Sequence, residues 1–462
     1  MKPDKRVKIV CTIGPASEKP HVLRAMIQAG MNAARVNLSH GDLSAHQRVI
    51  KLLREISKEL GMPLAVIADI PGGLRTGKLK EGEVILREGD EVTIVKGDRG
   101  SKARVPINYK LSSYLHPGST ILLDDGAIEL EVLKTQKGEI KCLVKNTGVL
   151  GECKGVNIPS LSLPLPLDER KIEFAAEMDV DYIAASFIRD ERDIQRVHEV
   201  LDKTKGDEIE VIAKIETRQA LENLTEIIQA SDGLMVARGD LGVEIEAWEV
   251  PLVQKDIVRR CNEAGKPVII ATQMLKSMVE SPRPTRAEVA DVANAILDGT
   301  DAIMLSEETA VGNYPVEAVE MMSRIAYQIE ETELPYFKKQ KVSSVAEAIG
   351  ESAYNIAERI GAAAIIPSTR SGATAKLVAK FRPKTKIVAV TYSDKVMNKL
   401  ALVWGVYPIK VDFYPNTDLM ISRSIEAAVD ARLIRPGERV VITAGMPFGI
   451  KGTTNLIKVE KA

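Results

Sequence analysis

Eight short β-branched runs, most of them followed by a segment of helical periodicity, constrain this chain more than any other feature. They are "VKIVCTIG" (7–14), "NAARVNLS" (32–39), "LAVIADI" (64–70), "DYIAASF" (181–187), "EVIAKIE" (210–216), "GLMVARGD" (233–240), "PVIIATQM" (267–274) and "DAIMLSEE" (301–308). Strands alternating with helices in this way call for a parallel sheet, and eight of them fit a closed (β/α)8 TIM barrel. A doubly wound open sheet would alternate in the same manner. The count favours the barrel, and so do the strand ends. In chain order these carry Arg35, Asn37 and Ser39; Asp69; Ser186; Lys214 and Glu216; Arg238 and Asp240; Thr272; and Ser306, Glu307 and Glu308. One polar strand end is an ordinary solvated edge. Seven on a single rim point to a site, because barrel enzymes draw their chemistry from the C-terminal ends of several strands.

The remaining sequence divides around that barrel. More than a hundred residues separate the third run from the fourth, far beyond an ordinary connection. Within them "GEVILREGDEVTIVKG", "GSTILLDDGAIELEVLK" and "GEIKCLVKNTG" alternate apolar and polar residues between Gly-bearing turns. The expectation is a small all-β domain over 73–163, inserted on the rim and returning through the Pro-rich "NIPSLSLPLPL". The barrel then occupies 1–72 and 164–340, and a separate α/β domain over 341–462 opens with the helix "SVAEAIGESAYNIAERIG". The 63 basic and 64 acidic residues balance, which argues against nucleic acid or an anionic membrane as partner. Four scattered cysteines form no metal-spaced pair, and no H-x-x-x-H pair marks a zinc site. Reduced cysteines, the absence of an apolar signal segment and the absence of a spanning run give the expectation of a soluble cytoplasmic protein.

One strand poses a sharper question. In "EVIAKIETRQ" (210–219), Lys214 and Glu216 stand two residues apart where a buried strand is expected to end, so both charges face one side. Buried charges are costly unless paired, hydrogen-bonded or bound to a metal. Taken alone, the pair reads equally as a structural ion pair or as part of a site. The company of the other strand ends favours the site.

Longer motifs make the pattern specific. "ARVNLSHG" (34–41), "LDDG" (123–126), "KGVNIP" (154–159), "AASFIR" (184–189), "AKIET" (213–217) and "ARGDLGVEI" (237–245) come first. "KPVIIATQMLKSM" (266–278), "PRPTRAEVADVANAILDGTDAIMLSEETA" (282–310) and "TAGMPFG..GTTN" (443–455) follow in the same order. From end to end the chain resembles the pyruvate kinase family. That resemblance implies phosphoryl transfer from phosphoenolpyruvate to ADP, giving pyruvate and ATP in the last step of glycolysis. Matched residue by residue, it gives Glu216 and Asp240 as ligands of a substrate-bound Mg²⁺ (or Mn²⁺), and two carboxylates suit such a hard cation. Lys214 and Arg35 grip the phosphoryl group, with Ser186 as a further donor. Gly239 and Asp240 receive the substrate carboxylate, and Thr272 orients a water or polar relay that protonates enolpyruvate, its own hydroxyl being too weak an acid. Asn37, His40, Arg75 and Lys154 match positions that approach the nucleotide. The "LDDG" aspartates match similarly placed residues, but equally end a hairpin. No Walker-type loop is present. Two other functions remain as alternatives: a pyruvate-type aldolase or lyase on a related Mg²⁺ barrel, which has no nucleotide to cover, and a non-catalytic metabolite sensor.

The resemblance also sets expectations for regulation. "AAIIPSTRSGATAKLVAKF" runs from strand to helix through Ser368, Thr369, Arg370, Ser371, Gly372 and Thr374, a set suited to a phosphate nest. It is similar to the family's site for a phosphorylated small-molecule effector. A homotetramer is implied in the same way. One stretch departs from the family, which carries a ten-residue loop with glutamate or lysine at its centre. Here "DIPGGLRTG" (69–77) is one residue shorter and has neither. The glutamate form accompanies a potassium requirement in relatives, and the lysine form replaces the ion. Asn37, Ser39, Asp69 and the carbonyl of Ile70 remain as oxygen donors, so K⁺ binding and activation are expected.

Overall fold

The protein is described here from a computed structural model, which covers all residues except 1–4, 40, 125, 137, 159–166, 205, 333–341, 414–415 and 446–453. Eight parallel strands close into a barrel: β1 (Lys8–Ile13), β2 (Ala33–Asn37), β3 (Ala65–Ile70), β4 (Tyr182–Ala185), β5 (Glu210–Ile215), β6 (Gly233–Ala237), β7 (Val268–Ala271) and β8 (Ala302–Leu305). Each pairs with its neighbour in sequence, and β8 returns to β1 with Lys8 opposite Ala302 and Cys11 opposite Leu305. Alternation along the strands sends one set of side chains outward to the surrounding helices and the other into the barrel. The interior is filled by small and medium residues, among them Ala33, Ala65, Ile67, Ala184, Ile212, Met235, Ala302 and Met304.

The same interior cluster contains Leu402, which comes from the C-terminal part of the chain. Tyr182, wholly buried at the start of β4, donates its hydroxyl to the carbonyl of Lys399 at 2.9 Å. The C-terminal unit therefore plugs the floor of the barrel, at the end opposite the polar strand ends. Its own sheet has four parallel strands, Val406–Lys410, Lys386–Thr391, Ala364–Pro367 and Arg439–Gly445, with Thr454–Lys461 antiparallel on the last. That fifth strand was not read from the sequence. "TNLIKVEK" shows no run of apolar residues, because one face of an edge strand meets solvent.

Between β3 and β4 lies a β unit built on a seven-stranded sheet, whose central hairpin joins Ile128–Gln136 to Glu139–Val144. It has its own core, including Ile94, Val105, Ile121, Leu130 and Val144. Its first and last segments, Leu74–Arg75 and Gly155–Asn157, pair antiparallel, so the insertion leaves and re-enters the barrel rim at one place. Most of the Pro-rich return (159–166) lies outside the described residues. One strand boundary needs correction. The sixth run was read as a strand to Asp240, but β6 ends at Ala237 and a short helix, Arg238–Glu244, takes over. Gly239 and Asp240 thus occupy the first turn of that helix, where unspent backbone N–H groups gather.

Candidate active site

Asp69, at the penultimate position of β3, is the hub of the rim. It is buried, and its Oδ2 accepts from Arg35 Nε at 2.7 Å. Its Oδ1 lies 3.4 Å from both Lys214 Nζ and the Ser186 hydroxyl, and Lys214 Nζ donates to Ser186 Oγ at 2.8 Å. Three residues expected at the site, from β2, β5 and the turn after β4, are therefore gathered by a fourth strand-end residue, to which the family resemblance gave only a potassium role. Thr12 of β1 fixes Arg35 from behind, its hydroxyl accepting from Nη1 at 3.0 Å.

Lys214 and Glu216 do face the same way, with Nζ 2.8 Å from Oε1. The second oxygen of Glu216 accepts the backbone N–H of Phe187 at 2.6 Å. Phe187 adopts φ 55°, a left-handed conformation uncommon for an aromatic residue, which turns that N–H toward the carboxylate. Lys214 thus stands directly beside the Glu216 carboxylate. Arg238 does keep clear: its guanidinium turns to Asp291 at 2.8 Å and to the carbonyl of Thr272 at 2.7 Å.

Electrostatics follow from this crowding. Burial raises the Asp69 carboxyl, but Arg35 and Lys214 outweigh it and hold Asp69 below its usual range. Burial works against the charge on Lys214, yet Asp69 and Glu216 raise it above the ordinary lysine value. Glu216 goes the other way. Burial, with Asp240 adding to it against the pull of Lys214, pushes its carboxyl up to about 7. Two mutually repelling carboxylates in a dry site are the donor set that a divalent cation relieves. Glu216 and Asp240 fit Mg²⁺ on that ground. Among the described residues no group of three or more His, Cys, Asp or Glu is arranged to hold a metal.

Thr272 follows β7 with φ 69°, and Gln273 follows it with φ 58°. Positive φ at a β-branched residue is strained, and such strain persists where the surroundings enforce it. Here the enforcement is visible, since Arg238 holds the Thr272 carbonyl and Gly239 N–H donates to the Thr272 hydroxyl at 3.0 Å. The Gly239 N–H is thus engaged, so a substrate carboxylate would share or displace that bond.

The shortened loop also has a physical explanation. Gly72 and Gly73 pass so close to the turn after β4 that a Cβ on Gly72 would lie 2.6 Å from the Ser186 carbonyl oxygen. One on Gly73 (φ +80°) would lie 2.6 Å from the Phe187 ring. A side chain at either position would have to displace the turn after β4. Lys78 is exposed in the β unit, paired in a strand with Arg99. Asn37 Oδ1 accepts from Ser39 N at 3.1 Å.

The nucleotide candidates are scattered. Arg75 Nη1 donates to the Cys153 carbonyl at 3.2 Å, and Lys154 pairs with Asp124 at 3.0 Å, both inside the β unit. His40 and Asp125 lie outside the described residues. In the C-terminal unit, the Thr369 hydroxyl accepts from Gly372 N at 2.9 Å, and Gly372 takes φ +87° ahead of the helix Ala373–Lys380. Thr374, expected to present its hydroxyl to an effector, instead buries it against Thr454 at 2.9 Å. Ser368 and Ser371 are half-buried, and Arg370 is exposed.

Residues 4–319 match the family model described as "Pyruvate kinase, barrel domain", and residues 347–460 match "Pyruvate kinase, alpha/beta domain". Curated relatives agree over the whole chain. A pyruvate kinase from Clostridium acetobutylicum is 43% identical, with 99% of each chain covered. One from Geobacillus stearothermophilus is 46% identical over 99% of this chain and 80% of its own, and one from Bacillus licheniformis is 46% identical over 98% and 80%.

Proposed function

The chain belongs to the pyruvate kinase family, and on that premise we propose how its barrel rim moves a phosphoryl group from phosphoenolpyruvate to ADP. The reaction leaves pyruvate and ATP. The observation that carries the residue assignment is the convergence of Arg35, Lys214 and Ser186 on Asp69, from three separate strand ends. Phosphoryl transfer asks mainly for positioning and for positive charge around the migrating oxygens. Arg35 and Lys214 supply that charge from two sides, and Ser186 adds a hydroxyl. Asp69 holds both cations in place and keeps Lys214 protonated. Glu216 and Asp240 would hold Mg²⁺ (or Mn²⁺), which when bound offsets negative charge on phosphoryl oxygens. Thr272, fixed in its strained conformation, orients the donor that delivers a proton to the enolpyruvate carbon. Gly239 and the first turn of its helix receive the substrate carboxylate.

The inserted β unit would close over the rim with Lys154 and Arg75 toward the nucleotide, which Asn37 and His40 also approach, and would shield the transfer from water. Its boundaries are read as 73–163, between barrel segments 1–72 and 164–340, with 341–462 as the C-terminal unit. Potassium is proposed at Asn37, Ser39, Asp69 and the Ile70 carbonyl. The family's dependence on it supports this, and the carboxylate of Asp69 has further lone pairs beyond those it uses. Residues 368–374 are proposed to take a phosphorylated effector in a cytoplasmic homotetramer. Among the described residues no helix is long and apolar enough to cross a membrane.

A coupled assay for pyruvate tests the activity. Pyruvate should appear from phosphoenolpyruvate only when ADP and Mg²⁺ are both supplied, with ATP in equal amount. Pyruvate released without nucleotide from a longer oxo acid would support a lyase instead, and no product at all would indicate a sensor.

A further inference from the structure

The helix Arg238–Glu244 ends on a residue that its local chemistry disfavours. Glu244 is the last residue of the helix, where the backbone dipole repels negative charge, and it follows Asp240 by four positions on the same face. Carboxylates spaced in this way repel, and half-burial makes the charge on Glu244 costlier still. Burial accordingly raises its carboxyl above the ordinary range. Two neighbours oppose this. Asn157 Nδ2 donates to Glu244 Oε1 at 3.1 Å, and the backbone N–H and guanidinium of Arg218 also favour the charged form.

These neighbours come from different parts of the molecule. Arg218 follows Glu216 by two residues, just past the end of β5. Asn157 ends the strand Gly155–Asn157, which returns the inserted β unit to the barrel, and it is only 5% exposed. Glu244 therefore joins three segments: the β unit, the strand end bearing Lys214 and Glu216, and the helix that carries Gly239 and Asp240. A second approach lies beside the first. A Cβ on Gly126 would lie 3.4 Å from Val243 Cγ1, so the turn after Asp124 comes up against the same helix.

The nucleotide candidates are tied to the strand that holds Asn157. Lys154 precedes it by three residues, and its Nζ pairs with Asp124 at 3.0 Å. Asp124, at φ 52°, donates its own N–H to the Gly155 carbonyl at 3.0 Å, and Leu122 stands opposite Asn157 in the sheet. A polyphosphate that draws Lys154 from Asp124 thus acts on both strands around Asn157.

We infer that Glu244, held by Asn157, is a positioning residue through which a nucleotide on the β unit tightens the substrate and Mg²⁺ sites at Gly239, Asp240 and Glu216. This role rests on the placement of nucleotide and substrate proposed above and adds the joint between them. Coupling of this kind is reciprocal, so either ligand reports it.

Pyruvate and ADP form the test pair, since together they fill both sites without reacting. Pyruvate binding to the full-length protein is measured by calorimetry at constant, saturating free Mg²⁺, with and without saturating ADP. In the parent, ADP should tighten pyruvate binding about fivefold or more, the lower end of typical coupling between sites. Asn157→Ala and Glu244→Ala should each bring that factor close to one, and Asn157→Ala should leave pyruvate affinity without ADP near the parent's. The double variant should match either single one, because both remove the same contact. Glu244→Gln keeps an oxygen for Asn157 and should retain most of the factor. Arg104→Gln, which breaks an exposed pair with Glu139 on the β unit, should leave it unchanged. If Asn157→Ala fails to fold, the two Glu244 variants decide: a factor lost in alanine and kept in glutamine is expected, and equal factors overturn the role. A factor near one in the parent, or a parental factor in the alanine variants, overturns it while leaving both sites in place. A parent that binds neither ADP nor pyruvate overturns the underlying placement as well.

Discussion

Lys214 is the residue whose replacement best separates binding from chemistry. Its ammonium touches Asp69, Ser186 and Glu216, but the Asp69–Arg35 pair stands without it. Lys214→Met should therefore fold and hold phosphoenolpyruvate within a few-fold of the parent. Turnover should fall by roughly 10²–10³, the loss typical of one electrostatic donor acting at the transition state. Equilibrium binding of phosphoenolpyruvate beside steady-state turnover measures the split, and near-normal turnover would remove Lys214 from the transfer step. At this scale the sequence showed which side chains reach the rim, because strand-end position alone selects them. It did not show their partners. Thr12 stands 23 residues before Arg35, and its hydroxyl reaches the guanidinium only because β1 and β2 are neighbours in the closed barrel. Phe187 carries no polar side chain at all; what it offers Glu216 is a backbone N–H, turned by a φ that nothing in "AASFIR" announces.

Elements were legible where a period repeats and obscure where two elements meet. The eight barrel strands and the alternating β unit follow from apolar spacing, which buried faces impose. A short helical turn after Gly239 is readable in "ARGDLG", but the point where β6 gives way to the helix Arg238–Glu244 follows from no spacing, since "ARGD" suits a strand end or a helix start equally. The loop after β3 is similar: its missing residue was visible, but not the contact with Phe187 that a side chain would displace. Gly73→Ala tests that contact. A methyl group 2.6 Å from the Phe187 ring, on a backbone at φ +80°, must displace the turn that holds Glu216. The half-saturating Mg²⁺ concentration should rise several-fold while phosphoenolpyruvate-independent stability falls by about 1–3 kcal/mol, the cost of overpacking plus strain. Unchanged Mg²⁺ dependence would uncouple the loop from the carboxylates. A second element-scale test concerns the start of the helix Val345–Ile360. Burial raises Glu347, but hydrogen bonds from Lys380 and Ser343 overcome it and bring its carboxyl down to about 2, against 4.5 ordinarily. A folded value below the unfolded one means stability that is complete above about pH 4.5 and is lost as pH falls toward 2. Melting temperature should thus decline with acid across that window, and Glu347→Gln should flatten this part of the profile. A parallel decline in the variant would assign the acid sensitivity to other carboxylates.

At the scale of the whole molecule, β5 is the strand that touches both functional ends. Its first residue, Glu210, pairs at the barrel floor with Lys376 at 2.6 Å and Lys399 at 3.6 Å, both from the C-terminal unit. Four and six residues later come Lys214 and Glu216, at the rim. Lys376 lies in the helix that begins just after Gly372, so the loop 368–372, one helix and one strand form a continuous physical line to the Lys214 ammonium. None of this pairing was readable in the sequence, since Glu210 and Lys376 stand 166 residues apart and each looks like an ordinary surface charge. Burial raises Glu210, but Lys376 and Lys399 more than compensate and hold it ionised. Glu210→Gln leaves two lysines at the seam without their carboxylate. Breaking a buried pair in this way costs about 3–5 kcal/mol, which denaturant unfolding measures. Because β5 is one rigid element, the half-saturating phosphoenolpyruvate concentration should also rise. Arg24→Gln provides the comparison: its pair with Glu59 is exposed at both ends and distant from β5, so neither stability nor substrate dependence should move appreciably. A Glu210→Gln enzyme that loses stability but keeps its substrate dependence would show that the seam holds the two units together without reaching the rim.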